Sequence, residues 1–241
     1  AYLAAHGRRT LLVDFDPQGN ASSALKGSVP VKNTIYEGMI GKIHPRSLLQ
    51  PSSLLNLHYI AAGPHLAGLL VELIEMDDRE RILRNLLHTF RHEYAYIVID
   101  LPPSMSLLAV NGLVAADEVL IPVQAEYYSL EGLTQLLSSI ELINKNLVHD
   151  LSITGAVVTM HDHSRRFSRE VVENLREHFP HRVFATEIPR STALAEAPSF
   201  GKPVILHKPS SLGAKAYRDL VREIIDGEDT QLPPQVGTAA R

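Results

Sequence analysis

Three acidic residues end two short apolar runs, at a spacing that could serve a metal-bound phosphate. The first run is Leu11-Leu12-Val13-Asp14-Phe15-Asp16-Pro17-Gln18-Gly19-Asn20. Side chains alternate along an extended strand, so Asp14 and Asp16 share one side at its C-terminal end. In open α/β sheets that edge is where ligands bind. A plainer reading stays open, since Asp and Pro also simply terminate strands. The second run, Ala95-Tyr96-Ile97-Val98-Ile99-Asp100-Leu101-Pro102-Pro103-Ser104, has four apolar residues and then Asp. That is the pattern of a Walker B strand, whose carboxylate helps hold the hydrated Mg²⁺ bridging nucleotide phosphates. Taken alone it favours the plainer reading, because many buried strands end in Asp.

The elements that must carry these acids follow from periodicity. Leu11 to Phe15, Leu57 to Ala61, Tyr96 to Asp100, Val119 to Val123, Ile153 to Thr159 and Val183 to Ile188 are short β-rich runs. Several lack strict alternation, as expected of a parallel sheet covered on both faces. Helical spacing marks Leu66 to Ile74, Arg79 to Phe90, Leu108 to Ala115, Ser129 to Asn144, Ser168 to His178 and Leu212 to Ile225. Strand and helix alternate, which predicts an α/β fold with a doubly wound, mostly parallel sheet. One domain is expected over residues 1–227, with a disordered, Pro-containing tail over 228–241.

Composition narrows the classes. The chain has 241 residues and no Cys, which excludes a disulfide framework, a thiolate-held zinc site, an iron–sulfur cluster and a cysteine nucleophile. Its apolar runs fall far short of the ~20 residues that cross a bilayer, and the first residues lack the order of a signal peptide. A cytoplasmic protein fits. The chain does not begin with Met, and a start downstream of the natural one is expected. Residues 1–160 hold 11 Lys+Arg against 16 Asp+Glu, whereas residues 161–225 hold 11 against 8. A basic C-terminal third can bind phosphate backbones locally; an ordinary solvated face is the alternative.

Two further stretches are too idiosyncratic to follow from propensity: Ile121-Pro122-Val123-Gln124-Ala125-Glu126-Tyr127-Tyr128-Ser129-Leu130-Glu131-Gly132, and Ile188-Pro189-Arg190-Ser191 running on to Pro198-Ser199-Phe200-Gly201-Lys202-Pro203. With the two acidic segments, in the same order, they closely resemble the ParA/Soj group of chromosome- and plasmid-partitioning ATPases, of the deviant Walker A class of P-loop proteins. The resemblance covers residue 1 to about 226. It implies a P-loop NTPase-like fold and ATP and Mg²⁺ as cofactors. Asp16 would orient or activate the water that attacks the γ-phosphate, Asp14 would support the magnesium shell or the loop, and Asp100 would be the Walker B carboxylate. Asp16 and Asp100 are thus the expected metal-side acids. Met160 and Pro189 would pack against adenine.

The resemblance also implies nonspecific DNA binding through Arg190 and a basic surface of Lys202, Lys215, Arg218 and Arg222. On a helix Lys215, Arg218 and Arg222 are three and four apart and share a face, the alternative being a face paired with Asp219 and Glu223. An ATP-bound homodimer, stimulation by a ParB-type partner and a nucleoid-associated location complete the expectation. His161-Asp162-His163 reads as a loop beside the nucleotide, since three adjacent polar residues cannot all face one ion from an extended segment.

The group's signature loop, Lys-Gly-Gly-x-Gly-Lys-Thr, is absent from these residues. The chain is expected to begin just after it, without the first, central strand, and as given to fold poorly and leave ATP uncleaved. Two other readings are weighed. A membrane-bound division-site relative needs a C-terminal amphipathic helix, which Pro233 and Pro234 would break. A nonenzymatic DNA-binding remnant fits if the loop is truly missing in the cell. The iron protein of nitrogenase type needs Cys ligands and is excluded.

Overall fold

A computed structural model describes residues 1–26, 30–126, 129–147 and 149–231. In chain order the elements are α1 (Tyr2–Ala5), β1 (Thr10–Asp14), α2 (Asn20–Leu25), α3 (Ile35–Met39), β2 (Leu49–Pro51), β3 (Leu57–Ile60), α4 (Leu69–Ile74), α5 (Ile82–His88), β4 (Tyr96–Asp100) and α6 (Leu107–Ala115). There follow β5 (Glu118–Gln124), α7 (Ser129–Leu147), β6 (Ser152–Thr159), α8 (Arg166–His178), α9 (Thr192–Glu196), α10 (Val204–His207) and α11 (Leu212–Gln231). The α/β class and the mostly parallel sheet are as expected. β1 pairs in parallel with β3 on one side and β4 on the other, β2 adds an antiparallel edge to β3, and β5 pairs in parallel with β6.

Both faces of the sheet are covered. Leu11 and Val13 of β1 face a core with Ile60, Leu83, Phe90 and Leu108; Leu12 of the same strand meets the cluster of Ala4, Leu25 and Tyr59 on the opposite face. Each such leucine, fully buried, contributes about 2 kcal/mol of transfer free energy. Asn111 is fully buried in α6, yet it accepts from Leu83 N and donates to Arg79 and Leu107 carbonyls. It thereby pins α5 to α6 without an unpaired polar group.

Among the described residues β4 and β5 do not pair, so the strands form one sheet of four and one of two. Val98 and Leu120, in mid-strand on β4 and β5, are 40% and 38% exposed. Strand-centre apolar residues this open are unusual in a sheet buried on both faces.

Three elements differ from the sequence reading. Leu66 to Ile74 is no single helix: a 3₁₀ turn over Pro64–Ala67 precedes α4, with Gly68 at the junction. Val183 to Ile188 is not a continuous strand. It meets β6 at one bridge, Ala156 to Val183, and Pro189 then meets His161 at another. Between the bridges the N–H groups of Ala185 and Thr186 donate to the Glu223 carboxylate, at 2.8 and 3.0 Å, so they are withdrawn from the sheet. Gly155 allows the close approach: its φ is +148° and a Cβ there would lie 2.6 Å from the Arg182 carbonyl. Finally, α11 runs to Gln231, so residues 228–231, expected in the tail, are helical. Tyr96 donates to the Glu228 carboxylate and ties this end of the helix to β4. Residues 232–241 lie outside the described residues.

Burial raises the Glu223 carboxyl, but hydrogen bonds from Ala185, Thr186 and Arg182 outweigh it and hold the group below its ordinary 4.5. An acid lowered in the folded state contributes stability above its unfolded value and loses it as pH falls through the folded one. Glu223→Gln is therefore expected to cost about 1–3 kcal/mol in a urea melt at pH 7. The gap from the parent should close as pH falls below 4.5; a gap that stays constant with pH would contradict the role assigned to the charge.

Candidate functional site

The two acidic strand ends come together. Asp14 and Asp100 are paired positions of neighbouring parallel strands, and Phe15 N donates to the Asp100 carbonyl at 2.9 Å, which continues the ladder past the acids. The strands run parallel, so both carboxylates and the following Asp16 stand at one edge of the sheet.

The three acids have different surroundings. Asp14 is fully buried. Its Oδ2 accepts from Ser22 N at 2.7 Å and from Ser22 Oγ at 2.6 Å, and its Oδ1 accepts from Asp16 N at 3.3 Å. Ser22 Oγ in turn accepts from Ala62 N at 2.9 Å. Asp14 thus anchors the start of α2 and ties the turn from Asp16 to Gly19 onto β1 and the end of β3. Gly19 supplies the left-handed φ of +64° from which α2 starts, and its N–H donates to the Asp16 carbonyl at 2.9 Å. Asp16 itself is only half-buried. One carboxylate oxygen accepts from Gln18 N at 2.9 Å, an Asx-type turn that leaves the rest of the group available.

Asp100 ends an exposed strand position, but its carboxyl group is pushed up to about 6 from 3.8, by desolvation first and then by the charges of Asp14 and Asp16. The folded state holds a proton that the unfolded chain releases between 3.8 and about 6. The charge on Asp100 therefore weighs against folding as pH rises through that window. Like charges gathered at a partly desolvated edge are the electrostatic setting that a divalent cation relieves. Pro17, Gln18, Gly19 and Ser22 also line a cleft of about 620 Å³, shared with Thr34 and Gly63.

The other predicted residues fall in two places. Met160 has a left-handed φ of +53° and is 45% exposed just beyond β6. The bridge between His161 and Pro189 sets Pro189 beside it, so these two predicted neighbours are together. Arg190 extends from the same segment and pairs with Glu126 at 2.5 Å, so a DNA phosphate there would have to displace a carboxylate. Tyr127 and Tyr128 of that motif lie outside the described residues. Lys215 and Arg222 are exposed on α11 and Arg218 is half-buried. Asp219 pairs with Arg218 at 3.2 Å and with Arg222 at 3.7 Å, whereas Glu223 pairs with Arg182 instead. Lys202 is exposed in the turn after the 3₁₀ segment Ala197–Phe200.

Sequence reasoning missed Glu187. Its Oε2 lies 2.5 Å from His161 Nδ1 and 3.7 Å from His163 Nε2, while Arg176 holds its Oε1 at 2.7 Å. Asp162 turns away to Ser164 and to Arg165. The turn from His161 to Ser164 brings the two rings together; their carboxylate partner, far along the chain, had no sequence signal.

Acids on adjacent parallel strand tips put the candidate site of this α/β protein at the carboxyl edge of its sheet, where ligands bind in such folds. A family model described as an AAA domain matches residues 1–153. The chromosome partitioning protein ParA of Myxococcus xanthus is 45% identical over 97% of this chain and 83% of its own length. The sporulation initiation inhibitor protein Soj of Bacillus subtilis is 43% identical over 93% and 89%. The chain belongs to the ParA/Soj family of chromosome-partitioning ATPases. Among solved structures, cobyrinic acid a,c-diamide synthase of Mycobacterium smegmatis, with ADP and magnesium bound, is similar at a TM-score of 0.78 and 29% identity, over 94% of this chain and 86% of that one.

The environments separate a buried anchor, Asp14, from a half-buried acid on the turn, Asp16. Asp14→Ala is expected to lower stability by about 2–4 kcal/mol, because Ser22 and two backbone N–H groups lose a buried charged acceptor. Asp16→Ala should stay within about 1 kcal/mol of the parent. Chemical denaturation of both variants checks the contrast, and equal losses would contradict it.

Proposed function

We propose that this chain is the core of a ParA-type ATPase that acts in chromosome or plasmid partitioning. Its cofactors are ATP and Mg²⁺. The observation that carries the reading is the register pairing of Asp14 with Asp100, with Asp16 beside them and the Asp100 carboxyl pushed up to about 6. A clustered, partly desolvated set of oxygen donors suits a hard divalent cation. The residues present therefore fit the metal, whereas a glycine-rich loop for the phosphates is not among them.

In this reading Asp100 and Asp16 would hold the magnesium ion. Bound Mg²⁺ supplies neutralisation of the phosphate charge. Asp16, free of the anchoring duty that Asp14 performs, orients the attacking water. Phosphoryl transfer needs in-line positioning and charge neutralisation more than covalent chemistry, and one acid suffices for each task. Met160 and Pro189 form the flank against which the base packs. The protein acts as an ATP-dependent homodimer that holds nonspecific DNA through Arg190, Lys202, Lys215, Arg218 and Arg222, and a ParB-type partner stimulates its turnover. It works in the cytoplasm on the nucleoid. No described helix is long and apolar enough to cross a membrane. Without the phosphate loop, residues 1–241 alone do not hydrolyse ATP.

The test uses the protein carrying a Lys-Gly-Gly-x-Gly-Lys-Thr loop upstream of Ala1. Asp16→Ala is expected to slow ATP turnover by about a hundredfold or more while ATP still binds; turnover at the parent rate would overturn the role. Arg190→Ala should abolish ATP-dependent retention on DNA and leave ATP-dependent dimerisation intact, as read by filter binding and by light scattering. Retention equal to the parent's would remove Arg190 from the DNA surface.

A further inference from the structure

We propose a second metal site, separate from the acidic strand tips: a zinc-class divalent ion held by His161, His163 and Glu187. One ligand atom from each of the three lies within 4.8 Å of the others. The donors come from two chain segments. His161 and His163 follow β6, and Glu187 precedes the Ile188-Pro189-Arg190 stretch.

The surroundings are those of a built site. The His161 side chain is only 3% exposed, and the ring nitrogen it turns towards Glu187 is Nδ1. The backbone around it is fixed: His161 N donates to Ile188 O at 3.0 Å, and Arg190 N donates to His161 O at 3.1 Å. Glu187 is oriented from behind by Arg176, which holds Oε1 at 2.7 Å and leaves Oε2 to the two rings. A charged partner behind a ligating carboxylate is the second-shell arrangement that orients metal ligands. The imidazole centroids are 4.1 Å apart, close enough to share an ion.

The distances need little adjustment. Donor atoms around one tetrahedral zinc lie about 3.3 Å apart, the edge of a tetrahedron with arms of about 2.0 Å. The two imidazole-to-carboxylate spacings, 2.5 and 3.7 Å, straddle that value. His163 is 74% exposed on its side chain and is free to close by rotation, with solvent water as fourth ligand. Two imidazoles and one carboxylate favour Zn²⁺, Co²⁺ or Ni²⁺ over Mg²⁺, which prefers an all-oxygen shell. The ion clips Glu187 to the end of β6. It thereby stiffens the segment whose next residues are Pro189 and Arg190, where Glu223 has already drawn Ala185 and Thr186 out of the sheet.

The probes are Zn²⁺, read as metal per chain after dialysis, and Co²⁺, read by its visible ligand-field bands, on the full-length protein without nucleotide. One equivalent is expected for the parent and for Asp162→Ala. His163→Ala, at an exposed position that folding tolerates, should weaken binding by about tenfold or more and lose the tetrahedral Co²⁺ bands, and Glu187→Gln should do the same. A parent that retains no ion would overturn the site, as would His163→Ala and Glu187→Gln binding as tightly as the parent.

Discussion

Parallel pairing in register puts the last residues of adjacent strands side by side, and here both last residues, Asp14 and Asp100, are acids. Strand spacing in a sheet is about 4.8 Å, so their charges cannot separate without breaking the ladder. The protein divides the consequences between them. Asp14 is surrounded by donors from Ser22 and Asp16 and becomes a fixed anchor. Asp100 has no such donors among the described residues, and desolvation, followed by the charges of Asp14 and Asp16, raises its carboxyl group. Asp16 hangs on the turn that Asp14 holds in place. Anchor, raised acid and turn-borne acid thus follow from one backbone register.

The same economy shapes the far end of the chain. Glu223 of α11 satisfies the N–H groups of Ala185 and Thr186, and the segment that follows carries Glu187, Pro189 and Arg190. At Ala185 and Thr186 the backbone is held by a charged acceptor from a helix, and on either side by bonds to β6 and to His161. Arg190 is countered by Glu126 and two of the basic residues on α11 by Asp219. These exposed pairs are individually weak, and a polyanion can exchange with their carboxylates at small cost.

Much of this was legible in the residues themselves. β1, β4, β5 and β6 announce themselves as apolar runs, and the placing of the acids at the ends of β1 and β4 on one edge was readable because strand polarity and alternation fix where such residues go. The same logic failed for Val183 to Ile188, since the composition is that of a strand and the competitor for its hydrogen bonds, Glu223, lies on a helix far along the chain. α2 was invisible because its short polar sequence has little helical preference and depends on the buried Asp14. α3 was missed as well, although Thr34 and Glu37, which form a capping box in the structure, offered a usable signal in their spacing. The partnership of Glu187 with His161 and His163, and of Arg190 with Glu126, depends on tertiary pairing that no local pattern encodes.

The central claim is electrostatic, and Asp100 reports on it directly. Carboxyl ¹³C NMR of Asp-labelled protein carrying the upstream phosphate loop, titrated without metal and again with Mg²⁺ and ADP in excess, measures its midpoint in each state. The account predicts a midpoint near the raised value of about 6 without metal, drawn down by about one unit or more when the cation arrives. A metal-free midpoint at the ordinary 3.8, or a raised one that magnesium and nucleotide leave in place, would contradict it.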